Sequence, residues 1–205
     1  LFTIERAFGP ESVVTLGYER VDIIDEVLTV DSASDGVIVA DRVRVTGRHV
    51  LPWRLEVGGD AAYAAYTDGN RLTTARGWIG RRILRKDPGL TVRAEAAYIG
   101  YSERTDLYWD PARYVTTGMV LTLAQSITET VRVMLEARVG YGQQESTGSL
   151  ERGFAARVEM AALGPFSADL AYQYGETGQV GGRRGGDGYS VHSGTLSLRY
   201  RFGAT

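Results

Sequence analysis

The only imidazoles in this 205-residue chain are His49 and His192, and cysteine is absent. Disulfides and thiolate metal sites are therefore excluded, and a His-rich metal centre lacks its third ligand. Lipid hydrolysis at a barrel wall needs a histidine and a serine on one face. Ser193 follows His192 directly, and consecutive residues of an extended strand point to opposite faces. The glycine-rich "GQVGGRRGGDG" at 178–188 lacks the Gly-Lys-Ser/Thr ending that cradles phosphate, and reads as an external loop. These features predict no enzyme activity, no metal and no cofactor. The remaining candidate chemistry is electrostatic, carried by Arg54, Glu56, Asp60, Arg93, Glu95, Arg132, Glu136, Arg138, Arg157, Glu159 and Asp169. These eleven side chains are the candidate pore-lining set.

Each of them sits where charged and apolar residues alternate. In "TVRVMLEARVGYG" (130–142), Val131, Val133, Leu135, Ala137, Val139 and Tyr141 share one parity, against Arg132, Met134, Glu136 and Arg138 on the other. Period 2 is the signature of a strand with one apolar and one polar surface. The pattern recurs at 41–49, 53–66, 91–102, 151–163, 166–175 and 193–202, and more weakly at 12–24, 71–84 and 113–127, with 1–8 a doubtful strand. Segment 151–163 has a competing helical reading, since Phe154, Val158 and Ala162 also recur every four residues. Its Gly-rich, strand-like neighbours favour a strand. The expected architecture is an all-β, antiparallel transmembrane β-barrel of about 10–12 strands, with residues 1–205 as one domain.

No run approaches the roughly 18 consecutive apolar residues of a membrane helix. A barrel crosses with half-apolar strands and gives the same negative result. The connections alternate in length: "FGPE", "HVLPW", "LRKDPG", "ITET" and "LGP" are short, whereas 25–40, 103–112, 144–150 and 178–188 are long. "TDGN" at 67–70 is the exception, an Asp-Gly hairpin. Short turns at one end and long loops at the other suit a wall with its turns in the periplasm and its loops outside.

Aromatic placement discriminates between lipid and a soluble core. With the last strand ending in the periplasm, Tyr18, Tyr63, Tyr98, Tyr141 and Tyr172 fall near the outer ends of outgoing strands, on the apolar parity. Trp53, Phe166, Tyr200 and Phe202 fall near the opposite end, and Val, Leu and Ala fill the interval. Two aromatic belts around an aliphatic band match the two headgroup levels of a bilayer. The expected location is the bacterial outer membrane, with its lipid as partner. The formal charge of −2 and the lack of a basic cluster give no reason to expect a nucleic acid. Lys86 is the one lysine among 23 basic residues, so the rest are arginines, planar donors that brace carboxylates bidentately. Leu1 in place of Met predicts either a removed signal peptide or a longer chain.

Three stretches carry a family resemblance. "YAAYTDGNRL" (63–72), "YWDPARY" (108–114) entering a strand, and the alternating run to "LSLRYRF" (196–202) resemble the C-terminal barrels of outer-membrane exopolysaccharide export porins. These are the cellulose and poly-N-acetylglucosamine secretion proteins, in which a periplasmic tetratricopeptide-repeat superhelix precedes the barrel. The resemblance implies a porin conducting polysaccharide or another solute, with a periplasmic repeat domain or assembly partner. It also implies more strands than this chain carries, as for the C-terminal portion of a longer protein. Two alternatives stand beside it: a filled barrel acting as membrane anchor without transport, and a soluble β-barrel that binds an apolar ligand.

Overall fold

The computed structural model describes residues 2–9, 11–22, 38–104, 111–163, 166–177 and 190–200. Among them run eleven strands: β1 (Phe2–Ala7), β2 (Ser12–Asp22), β3 (Val39–Val50), β4 (Leu55–Tyr66), β5 (Arg71–Leu84), β6 (Gly89–Tyr101), β7 (Tyr114–Ser126), β8 (Val131–Gln144), β9 (Thr147–Leu163), β10 (Phe166–Thr177) and β11 (Ser190–Tyr200). They form one sheet in chain order, every neighbouring pair antiparallel. β1 and β11 each pair on one side only among the described residues.

Residues directly opposite each other in an antiparallel pair share a face, so the register carries the parity of one strand around the sheet. Leu135 on β8 stands opposite Leu123 and Ala156, and Ala137 opposite Leu121 and Phe154. On the other face Arg138 stands opposite Val120 and Gly153, and Glu136 opposite Thr122 and Ala155. Burial separates the two faces. Leu121 is 45% exposed and Phe154 41%, whereas Val120 is 1% exposed. In mid-sheet the apolar face is therefore the open one, and the face bearing arginines and carboxylates is the covered one. This inverts the arrangement of a water-soluble sheet, which buries its apolar side.

The competition over 151–163 is settled as a strand, because Phe154, Ala156, Val158 and Met160 all pair onto the apolar side of β10. The doubtful first segment is β1, paired with β2 from Phe2–Tyr18 to Ala7–Val13. Residues 144–150 are not a long connection: β8 ends at Gln144, β9 starts at Thr147, and Glu145 turns the chain at φ 54°. Their polar composition imitates a loop, but Gln143 pairs with Gly148 and Gly142 with Ser149, so the ladder continues to the turn. The expected strand 53–66 loses its first two residues. Pro52–Arg54 is a 3₁₀ turn in which Trp53 and Arg54 both have φ 60°. Pro52 has no N–H for a ladder, and the Leu51 N–H closes the turn on the Leu55 carbonyl at 2.7 Å. The predicted loop at 178–188 lies outside the described residues, as do most of 25–40 and the centre of 103–112.

The "TDGN" hairpin is present. Gly69 takes φ 93°, a conformation that only glycine reaches cheaply, and Asp68 caps the turn by accepting from the Asn70 N–H at 3.0 Å. Asn70 is 1% exposed. Its Oδ1 accepts from the N–H of Arg71 (2.8 Å) and of Glu103 (3.0 Å), and its Nδ2 donates to the Glu103 carbonyl at 3.0 Å. This one side chain ties the β4–β5 hairpin to the segment that follows β6. Replacing Asn70 with Ala leaves the part-buried N–H and carbonyl of Glu103 without this partner, at about 2 kcal/mol, while the Arg71 N–H keeps the Ser102 hydroxyl. The expected result is faster tryptic cleavage after Arg104, read by limited proteolysis, with the strands remaining resistant.

Candidate functional site: the charged face

Ten of the eleven predicted charges share the covered face. Arg54 does not, because it lies in the 3₁₀ turn ahead of β4. The centre of the set is Glu95 on β6, whose side chain is 2% exposed. Three guanidinium groups converge on it. Arg76 Nη2 of β5 is 2.6 Å from Oε2, Arg93 Nη2 of β6 is 3.4 Å from the same oxygen, and Arg138 Nη2 of β8 is 3.0 Å from Oε1. Register explains the convergence. Arg93 and Arg138 both stand opposite Val120 on β7, and Glu95 stands opposite Gly118, itself opposite Gly140. Two facing glycines leave no side chain between β6 and β8. A Cβ on Gly118 would come within 2.8 Å of the Val139 carbonyl oxygen, so this passage is closed to larger residues.

Trp78 on β5 stands directly opposite Glu95, with its indole half-buried. The ring lies over Gly58 of β4, where an added Cβ would fall 2.6 Å from the indole. Arg93 holds its guanidinium carbon 5.6 Å from the indole centroid.

The other predicted residues form smaller groups on the same face. Arg157 Nε meets Asp169 at 2.6 Å and Glu159 at 3.2 Å. Arg132 lies in register between Ser126 and Glu159. Glu136 accepts from the Thr122 hydroxyl at 3.4 Å, and Asp60 pairs with Arg44 at 3.3 Å. Glu56 stands between Val50 and Gly80. Beyond the predicted set, Arg42 meets Glu19 at 3.2 Å, and the Tyr114 hydroxyl reaches across Gly142 to donate to Glu151. At the β4–β5 hairpin end the same face turns apolar. Ile38, Ala40, Ala64, Tyr66 and Leu72 bury one another, and Tyr66 stacks on Tyr101 with centroids 6.1 Å apart.

Of the predicted aromatics, Tyr18, Tyr63, Tyr98, Tyr141, Phe166, Tyr172 and Tyr200 lie on the apolar face. Tyr18 and Tyr63 flank Val43 in register, and the rings of Phe166 and Tyr200 meet at 4.8 Å. Trp53 is 80% exposed in the 3₁₀ turn, not on a strand, and Phe202 lies outside the described residues.

Sequence reasoning missed Arg76 and Trp78. In "RLTTARGWIGRRIL" arginines occur on both parities, which blurs the alternation. A tryptophan on the arginine-bearing parity was the available signal. It also missed Ser12 and His49, which register brings together on the apolar face at Oγ–Nδ1 2.6 Å. Among the described residues no carboxylate hydrogen-bonds to that ring.

An up-and-down antiparallel sheet that exposes its aliphatic side and covers its charges has the fold of an outer-membrane barrel wall. A search of solved structures agrees: the chain is similar to a bacterial polysaccharide outer membrane secretin, with TM-score 0.80 and 12% identity over 98% of this chain and 68% of that one. At that identity the likeness shows the fold. No protein-family model matches the sequence, and no curated protein matches it.

Proposed function

We propose that this chain is part of the wall of a bacterial outer-membrane barrel that conducts an exopolysaccharide, and that it has no enzymatic role. The observation that carries the reading is the inversion of faces. Val, Leu and Tyr look out from an open surface, while the charged and hydroxylated surface behind it is covered in mid-sheet, around Val120 and Glu95, which suits hydrocarbon outside and a hydrated path inside. The fold shared with a polysaccharide secretin supports the choice of solute class. A soluble barrel binding an apolar ligand needs the aliphatic residues enclosed, and they are the exposed ones.

The one-sided β1 and β11 support the further proposal that additional strands of the same polypeptide complete the wall. An unpaired strand edge in hydrocarbon leaves backbone groups that cost several kcal/mol each. A periplasmic repeat domain then belongs to the same export assembly.

One observation favours the second reading, a filled barrel used as an anchor. Ion pairs and the Tyr66–Tyr101 knot occupy much of the covered face. Planar-bilayer recording of the full gene product separates the two. A conduit gives discrete conductance steps that long polysaccharide chains interrupt, and a filled barrel inserts without conducting.

A further inference from the structure

We infer that the Glu95 cluster and Trp78 form a subsite for a carboxylate-bearing sugar, so that the polymer passing this wall is an acidic polysaccharide. The inference rests on the conduit reading and narrows it to a substrate class.

The charge is layered. Glu95 is 2% exposed, whereas the side chains of Arg76, Arg93 and Arg138 are 42, 28 and 36% exposed. The carboxylate is buried and the three guanidinium groups are the more exposed members, so a solute at this face meets positive charge with the counter-charge behind it. Of the neighbouring acids on this face, Asp60 pairs with Arg44, while Glu136 accepts only from the Thr122 hydroxyl and keeps its charge, so three guanidinium groups still outnumber the two carboxylates Glu95 and Glu136. One carboxylate cannot take up the donors of three arginines, each with five N–H groups in a fixed fork. Donors therefore remain for a second carboxylate, which a guanidinium grips bidentately.

Trp78 supplies the other half of a sugar site. The indole is partly exposed, between Gly58 and the Arg93 guanidinium, and its open edge offers apolar surface to the C–H groups of a pyranose. It stands opposite Glu95 with the Arg93 guanidinium over the ring, so a sugar against the exposed edge of the indole would present its carboxylate to the guanidinium groups. A path needs weak sites: the arginines already share Glu95, which keeps their hold on a second anion loose.

The test uses the full protein in detergent and three oligosaccharide probes of equal length: oligogalacturonate, neutral malto-oligosaccharide and cationic oligochitosan. Binding is read by calorimetry, and bilayer conductance is recorded in parallel. Oligogalacturonate should bind on the order of tenfold more tightly than the neutral probe at low salt. The preference should fall in Arg93→Gln and shrink with salt, while Trp78→Ala should weaken both the acidic and the neutral probe. Arg199→Gln, on the same face of the far strand β11, is the control and should leave binding unchanged. Equal binding of acidic and neutral probes, or tighter binding of oligochitosan, overturns the inference even if the protein conducts. Absence of conductance overturns the conduit reading, whatever the binding shows.

Discussion

Leu121→Arg is expected to prevent assembly of the barrel in a bilayer, whereas Thr122→Arg, one residue along, should be tolerated. The two positions share a strand, a depth and a substituent, and differ in face. Leu121 stands in mid-sheet between Val92 and Ala137 on the aliphatic side, 45% exposed. If that side meets acyl chains, an arginine there costs about 2–4 kcal/mol near the midplane, a large share of a typical folding free energy. Thr122 stands between Thr91 and Glu136, so the same arginine gains a carboxylate neighbour and stays hydrated. Heat-modifiable mobility after insertion into lipid vesicles is the readout. The expected gels show a folded band for wild type and Thr122→Arg, and an unfolded band for Leu121→Arg.

The second large effect is Glu95→Leu. Removing the carboxylate leaves three guanidinium groups facing one another over the gap made by Gly118 and Gly140, with no carboxylate in its place. Breaking a buried ion pair from one side costs about 3–5 kcal/mol, and the low end applies because the arginines retain water. The double change Glu95→Leu with Arg93→Leu should recover part of the loss, since it removes one of the stranded charges. A urea titration of the vesicle-inserted protein measures both. Equal midpoints for Glu95→Leu and wild type would show that the cluster is not a structural node.

Much of the fold was legible because alternation needs only one strand at a time. Val131 through Tyr141 against Arg132 through Arg138 fixes two faces, and repetition in segment after segment points to one sheet. Two things were not legible, for physical reasons. The convergence of Arg138 on Glu95 depends on the register of β7 between them, where a one-residue slip would send every β8 side chain to the other face. Single-strand periodicity holds no register. The second is local backbone geometry. Trp53 and Arg54 have the right parity for a strand, but Pro52 starts a turn that takes both to positive φ and removes them from the sheet. The buried apolar patch around Tyr66 and Tyr101 likewise departs from the simple rule that the charged parity is polar along its whole length.

Which face meets lipid can be measured residue by residue, and a cysteine-free chain suits the experiment because each introduced thiol is unique. Nitroxide labels at 119, 121 and 123 on one parity, and at 122 and 124 on the other, report collision with oxygen dissolved in the bilayer and with a water-soluble nickel chelate. High oxygen and low nickel accessibility are expected at Met119, Leu121 and Leu123, with the reverse at Thr122 and Ala124. Oxygen accessibility peaking on the Val120 parity, or no alternation along β7, would contradict it.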